Sequence, residues 1–251
     1  MTFRIIILCL WFSGISQAQQ YSAVKEVAPI IPREFRAAWV ACVYNIDWPS
    51  RKGMGAGAQQ AEMKAMLDRM SSMKMNAIIF QVRPNADAVY QSRLEPWSHW
   101  ISGTQGVSPG YDPLAYCIQQ AHARGIEVHA WFNPFRALPN SKIPTASNHV
   151  VKTHPSMIRD FKNYKWMDPS NAFTQQRALS VILDVVNRYD VDGIHIDDYF
   201  YPYPDVDSQG RANPIFPDGK TPEARRAATD GFVKAMYSNC LLYTSPSPRD
   251  S

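Results

Sequence analysis

Apolar positions recur along this chain with two different periods, and the two periods alternate four times. Phe35 to Val43 is a short apolar run that reads as a buried strand, and Gln59 to Lys74 follows with Met63, Met66, Leu67 and Met70 at helical spacing. Asn76 to Arg83 is a second apolar run, ended by Pro84, and Pro113 to Arg124 is a second helical stretch with Gly125 at its C-terminal stop. Ile126 to Phe132 and Ala172 to Tyr189 repeat the pair, and the strand opening at Val191 is followed by helical spacing over Pro222 to Tyr237. Strands that alternate with helices predict parallel pairing under a helical cover.

The connections carry a second message. Long polar and aromatic segments follow the strands, over 84–112, 137–169 and 202–220, whereas the helix-to-strand links at Gly125 and Asp190 are tight. A (β/α)8 barrel with its working face at the strand C-termini produces this asymmetry. The expected fold class is therefore α/β of the TIM-barrel type, cut short after about four β/α units. A doubly wound open sheet ranks second, because no dinucleotide-type glycine fingerprint follows the first strand. Gly53, Gly55 and Gly57 open no helix directly on a strand and read as a flexible loop.

Strand parity then selects candidate chemistry. Side chains along a strand alternate faces, so Gln81 and Arg83 share one side of the second strand, and His129, Trp131 and Asn133 share one side of the third. On the fourth, Gly193, His195 and Asp197 point one way, and Ile194, Ile196 and Asp198 the other. Three neighbouring strands with polar residues in matching phase predict a lined pocket. Asp197, at a strand end two residues after His195, suits a carboxylate nucleophile or an oxocarbenium stabiliser. Asp198 completes the catalytic candidates, although its parity also suits a cap or an ion pair. The substrate-binding candidates are Gln81, Arg83, Asp87, His129, Trp131, Asn133, His195 and Tyr199. Asp87 is equally suited to bracing Arg83, and His129 to a satisfied core position. Trp48, Tyr90, Trp97, Trp100, Phe135, Phe200, Tyr201 and Tyr203 add aromatic faces that stack on sugar rings, and about half are expected to face ligand.

Composition narrows the remaining classes. The formal charge of +4, from 26 Lys and Arg against 22 Asp and Glu, is mild and unclustered, which speaks against nucleic acid as a partner. No H-x-x-x-H or H-E-x-x-H pair suggests a metal site, no G-x-S-x-G elbow suggests a serine hydrolase, and no cofactor is called for. Arg4, the apolar run from Ile5 to Trp11 and Ser16-Gln17-Ala18 form the pattern of a secretory leader over 1–18, so the expected location is the periplasm or the extracellular space, without stable membrane insertion. A lead-in over 19–32 and a barrel domain over 33–239 follow. The ending 240–251 resembles translated adapter read-through and is set apart as a non-native tail. Cys42 and Cys117 read as small buried hydrophobes.

These motifs together resemble a known family, the bacterial envelope proteins called glycosyl hydrolase-like 10, which carry domain of unknown function 187. The resemblance runs from about Arg33 to Tyr237 and rests on Phe35-Arg36-Ala37-Ala38-Trp39-Val40, Asp47-Trp48-Pro49-Ser50, Gln81-Val82-Arg83-Pro84, Glu95-Pro96-Trp97-Ser98, Ala130-Trp131-Phe132-Asn133-Pro134 and the segment from Asp192 to Pro202. It implies a TIM-barrel glycoside hydrolase acting on cell-wall glycan, with peptidoglycan strands as the polysaccharide partner. Gly193-Ile194-His195-Ile196-Asp197 is also similar to the fourth-strand motif of the α-amylase and α-galactosidase clans, in which the final aspartate is the nucleophile. The resemblance places the partner carboxylic acid on a later strand. A non-catalytic glycan-binding protein and, behind it, a metal-dependent hydrolase are the alternatives.

Overall fold

A computed structural model of the chain describes residues 34–197, 200–202, 209 and 219–243. The leader over 1–18, the lead-in over 19–32 and most of the tail lie outside the described residues, as do Asp198, Tyr199 and Tyr203.

In chain order the elements are β1 (Ala37–Val40), α1 (Ala56–Ser72), β2 (Ala77–Arg83), α2 (His99–Ser102), α3 (Pro113–His122), β3 (Glu127–Phe132), β4 (Arg136–Leu138), α4 (Val150–Thr153), β5 (Ile158–Phe161), β6 (Tyr164–Met167), α5 (Ala172–Arg188), β7 (Gly193–Ile196) and α6 (Pro222–Tyr243). Short 3₁₀ turns cover Val43–Asn45 and Pro155–Met157.

The main sheet is parallel, in the order β1-β2-β3-β7. Each new strand joins beside the one before it and the order never reverses. A doubly wound sheet reverses direction at its switch point, so this sequential order selects the barrel type. The four units form an arc of a (β/α) barrel.

The two faces of this sheet differ. Val40, Ile78, Phe80, Val82, Val128, Ala130 and Phe132 belong to the large core, together with Met63, Leu67 and Met70 of α1, Leu114 and Ile118 of α3, and Val181, Ile182 and Val185 of α5. β2 has no exposed position at all, as expected for a parallel strand covered on one face by helices. The helix ends are cut by local chemistry. Asp112 Oδ1 accepts from Ala115 N at 3.0 Å to start α3, and Gly125, at φ 68°, takes the left-handed turn between α3 and β3.

Two expectations change. The segment 137–169 is not a plain loop, because β4, β6 and β5 form a small antiparallel sheet there. Helix α6 continues to Tyr243, past the point at which its apolar spacing fades. Trp48, Tyr90, Phe135 and Phe200 are buried beneath the loops: Trp48 Nε1 donates to Gln59 O at 3.1 Å, and Phe135 packs on both Phe200 and Phe232. These four fill the space beneath the long loops, which need their own apolar core. Among the described residues, no helix is long and apolar enough to cross a membrane.

Candidate functional site

The second face of the sheet carries the candidate site. Register places Ile79, His129 and Gly193 side by side, and Gln81, Trp131 and His195 in the next row. Asn133 and Asp197 continue that face beyond the C-terminal ends of β3 and β7. The expected common phase of Gln81, His129, Trp131, Asn133, His195 and Asp197 is thus present across three strands.

Arg83 departs from it. The register shifts between Gln81 and Arg83, so that Arg83 pairs with Phe132 rather than with Asn133. One irregular step reverses strand parity. The Arg83 guanidinium is fully buried and forms a two-pronged pair with Glu95, Nε to Oε2 at 2.8 Å and Nη2 to Oε1 at 2.6 Å. Its Nη1 donates to Asn133 O at 2.6 Å, while Asn133 N donates to Arg83 O at 2.9 Å. Arg83 therefore clamps the main chain of Asn133 from both sides. All three guanidinium nitrogens are thus engaged by the protein.

A chain of side-chain amides crosses the sheet ends towards Asp197. Gln81 Oε1 accepts from Cys42 N at 3.0 Å and from Val43 N at 2.9 Å. Gln81 Nε2 donates to Asn133 Oδ1 at 2.6 Å, and Asn133 Nδ2 in turn donates to Asp197 Oδ2. Gln81 and Asn133 are both fully buried, whereas Asp197 is partly exposed. The turn that supplies Cys42 N and Val43 N bends sharply, with Tyr44 at φ 55° and Asn45 at φ 52° in the left-handed region. Asn45 Nδ2 secures it by donating to Pro49 O at 3.0 Å and Trp100 O at 2.9 Å, and Asp47 Oδ2 accepts from Ala41 N at 2.8 Å. Burial pushes the Cys42 thiol well above its usual range and the Cys117 thiol up to about 12, so both behave as inert core groups.

Asp87 is also fully buried. It accepts from Asn85 N at 3.2 Å and from Gln105 Nε2 at 3.0 Å, with His99 Nδ1 at 3.9 Å. It organises the loop after β2. His149, also buried, closes the same region through Nε2 to Asn85 O at 3.1 Å.

His129, Trp131 and His195 line the uncovered part of the face. His129 Nε2 lies 3.2 Å from Glu127 Oε2, and its ring lies against Gly193, where an added Cβ would sit 2.4 Å from Nδ1. The glycine of the Gly193-Ile194-His195-Ile196-Asp197 run is therefore what lets the two strands carry an imidazole between them. Trp39, 56% exposed, packs its ring on His195 at 4.8 Å and on Trp131 at 5.3 Å. Trp131 Nε1 and His195 Nε2 are both buried without a hydrogen-bond partner among the described residues. Burial lowers the His195 pKa, Asp197 opposes that effect and His129 adds to it.

Sequence reasoning gave no site role to Glu95, Trp39 or the paired backbone N–H groups of Cys42 and Val43. Glu95 lies in a loop without periodicity, and a backbone donor has no residue signature. Trp39 was legible: it shares its phase with Ile79 and His129 in the register.

The site can hold a carboxylate at a barrel strand end, oriented from behind by a buried amide and flanked by aromatic and imidazole rings. The chain is 43% identical over 175 residues to "Glycosyl hydrolase YngK" of Bacillus subtilis (strain 168), covering 68% of this chain and 34% of that protein. It is 37% identical over 183 residues to "Glycosyl hydrolase DigH" of Escherichia coli (strain K12), covering 66% of this chain and 42% of that protein. The chain thus spans about a third to two-fifths of the length of these curated relatives. Among solved structures, the Flavobacterium johnsoniae chitobiase is similar in fold, with a TM-score of 0.50 at 14% identity, over 82% of this chain and 30% of that one. The profile of the family described as "Glycosyl hydrolase-like 10" matches residues 34–223, and the chain belongs to that family.

Proposed function

We propose that the protein containing this chain is a glycoside hydrolase of the bacterial envelope that cleaves cell-wall glycan, with peptidoglycan strands as substrate. The observation that carries this reading is the position of Asp197, at the C-terminal end of β7 with Asn133 Nδ2 donating to its Oδ2. A partly exposed carboxylate held as a hydrogen-bond acceptor at a strand end suits a nucleophile or a general base in glycoside cleavage. In this reading Asp197 attacks the anomeric carbon or activates the water that does so, and a second carboxyl group protonates the leaving oxygen. Asp87 and Glu95, on the loop after β2, are buried and engaged by the protein, and this reading assigns the acid to another carboxyl group of the whole protein. Trp39 and Trp131 supply the apolar faces on which a sugar ring stacks, with His195 and His129 beside them. The family membership and the secretory pattern over 1–18 support a carbohydrate substrate outside the cytoplasm.

The test is to incubate the full-length protein with purified peptidoglycan, intact and stripped of stem peptides, and to follow soluble fragments by mass spectrometry. Sugar fragments are expected, in greater yield from the stripped glycan. Retention on the glycan without any release would instead support a binding protein built on the same face.

A further inference from the structure

The amide chain behind Asp197 has a direction, and the direction is set by backbone. Side-chain amides can present either end to a neighbour: an Asn turns its NH₂ to an ionised aspartate, but beside a protonated one it can present either end. Here Gln81 Oε1 receives two main-chain donors, Cys42 N at 3.0 Å and Val43 N at 2.9 Å. Those N–H groups cannot reverse, so Nε2 must face Asn133. Asn133 must then present Oδ1 to Gln81, at 2.6 Å, and Nδ2 to Asp197. Reversing any one amide would place oxygen against oxygen or N–H against N–H in a buried setting, which is costly. Both amides are fully buried, out of reach of a sugar.

We propose that Gln81 and Asn133 are positioning residues that transmit the polarity of the Cys42–Val43 turn to Asp197, so that Asp197 is always met by a donor. Arg83, through its two main-chain contacts to Asn133, holds the middle of this relay in place. The inference rests on Asp197 being the reacting carboxylate, but the relay itself can be tested without catalysis.

The discriminating variant is Gln81→Glu, which keeps size and shape. A protonated glutamate still accepts from Cys42 and Val43 and donates to Asn133. An ionised one has no donor, so Asn133 must turn its NH₂ towards residue 81 and its oxygen towards Asp197. The other titratable groups along this face and behind the relay are unchanged between the two proteins: His195, which Asp197 influences directly, His129 and Glu127 on β3, Arg83 and Glu95 behind Asn133, and Cys42 and Asp47 in the turn after β1.

In the full-length protein, kcat/KM of Gln81→Glu relative to wild type should fall by roughly tenfold or more from about pH 5 to about pH 8, with the loss in kcat and KM preserved. Crystals of the variant near the upper pH should show Asp197 turned away from Asn133. A pH-independent ratio with Asp197 still on Asn133, or a loss carried by KM, would overturn the relay. Asn133→Asp provides a second measurement, since it sets a second carboxyl group against Asp197. Crystals of it at the upper pH should show the two side chains apart, and an undisturbed contact there counts against the proposal. If Asp197 moves as described while the wild type releases no sugar, the relay stands and the glycosidase reading fails.

Discussion

Gly193 shows how much one residue decides here. It opens β7 with the His129 ring of β3 against it, and a Cβ would come within 2.4 Å of Nδ1, 2.8 Å of Cε1 and 3.0 Å of Cγ. Contacts at the root of the ring cannot be relieved by a small rotation, so His129 must leave its place. Gly193→Ala should cost about 1–3 kcal/mol by forced overpacking, read as a lower midpoint in urea. His129→Ala should restore most of that loss in the double variant, because it removes the obstructing ring. Additive losses in the double variant would show that the glycine is needed for another reason. Parity made Asp197 and its companions visible in the sequence, since alternation is a geometric property of any strand. It could not show that Gln81 and Asn133 are buried. Their polarity invites a ligand contact, and only the fold shows that their partners are other parts of the protein.

Among the elements, β2 and the loop after it form the structural hinge of the site. The irregular step between Gln81 and Arg83 turns the arginine out of phase, and its pair with Glu95 lies at 1% exposure on both sides. A buried ion pair that loses one member leaves an uncompensated charge, so Glu95→Ala should lower stability by about 3–5 kcal/mol. Replacing both members with apolar residues of similar volume, as in Arg83→Met with Glu95→Leu, should recover much of that stability. Asn133 would then lose the Nη1 contact to its carbonyl, and any glycan cleavage should fall even where the fold is restored. Unchanged thermal stability in Glu95→Ala would contradict the role assigned to the pair. No sequence pattern signalled this pairing, because a bulge interrupts the period on which parity depends and Glu95 lies in an aperiodic loop. The strand-helix alternation itself was legible, since four apolar runs separated by helical spacing leave few other folds. The sheet β4-β6-β5 was not, because its strands have three or four residues each, too few to establish a period.

At the scale of the molecule, the large core lies between one sheet face and the helices, while the face bearing His195 and Asp197 keeps Phe35 and Trp39 more than half exposed. The stability of this arrangement depends on pH through His149. Its Nε2–H donates to Asn85 O at 3.1 Å and its Nδ1 accepts from Val151 N at 3.3 Å, a pattern only the neutral ring satisfies. Burial lowers its pKa, partly offset by the bond to Asn85. For a base whose folded-state pKa is depressed, the unfolded chain binds the proton first as pH falls. Stability is therefore complete above the ordinary histidine value of about 6.5 and declines below it. Thermal melting should show this decline between about pH 6.5 and 5, and His149→Asn, which keeps a cap for α4, should flatten it. An equal decline in that variant would assign the dependence to other groups.

The account depends on Asp197 as the reacting carboxylate. The most direct test compares the full-length wild type with Asp197→Asn on peptide-stripped glycan, measuring released sugars by mass spectrometry and retention on the glycan in the same samples. Release should fall by at least about a thousandfold with retention intact, since the amide keeps the shape and loses the nucleophile or base. Release at the wild-type rate from Asp197→Asn would contradict it.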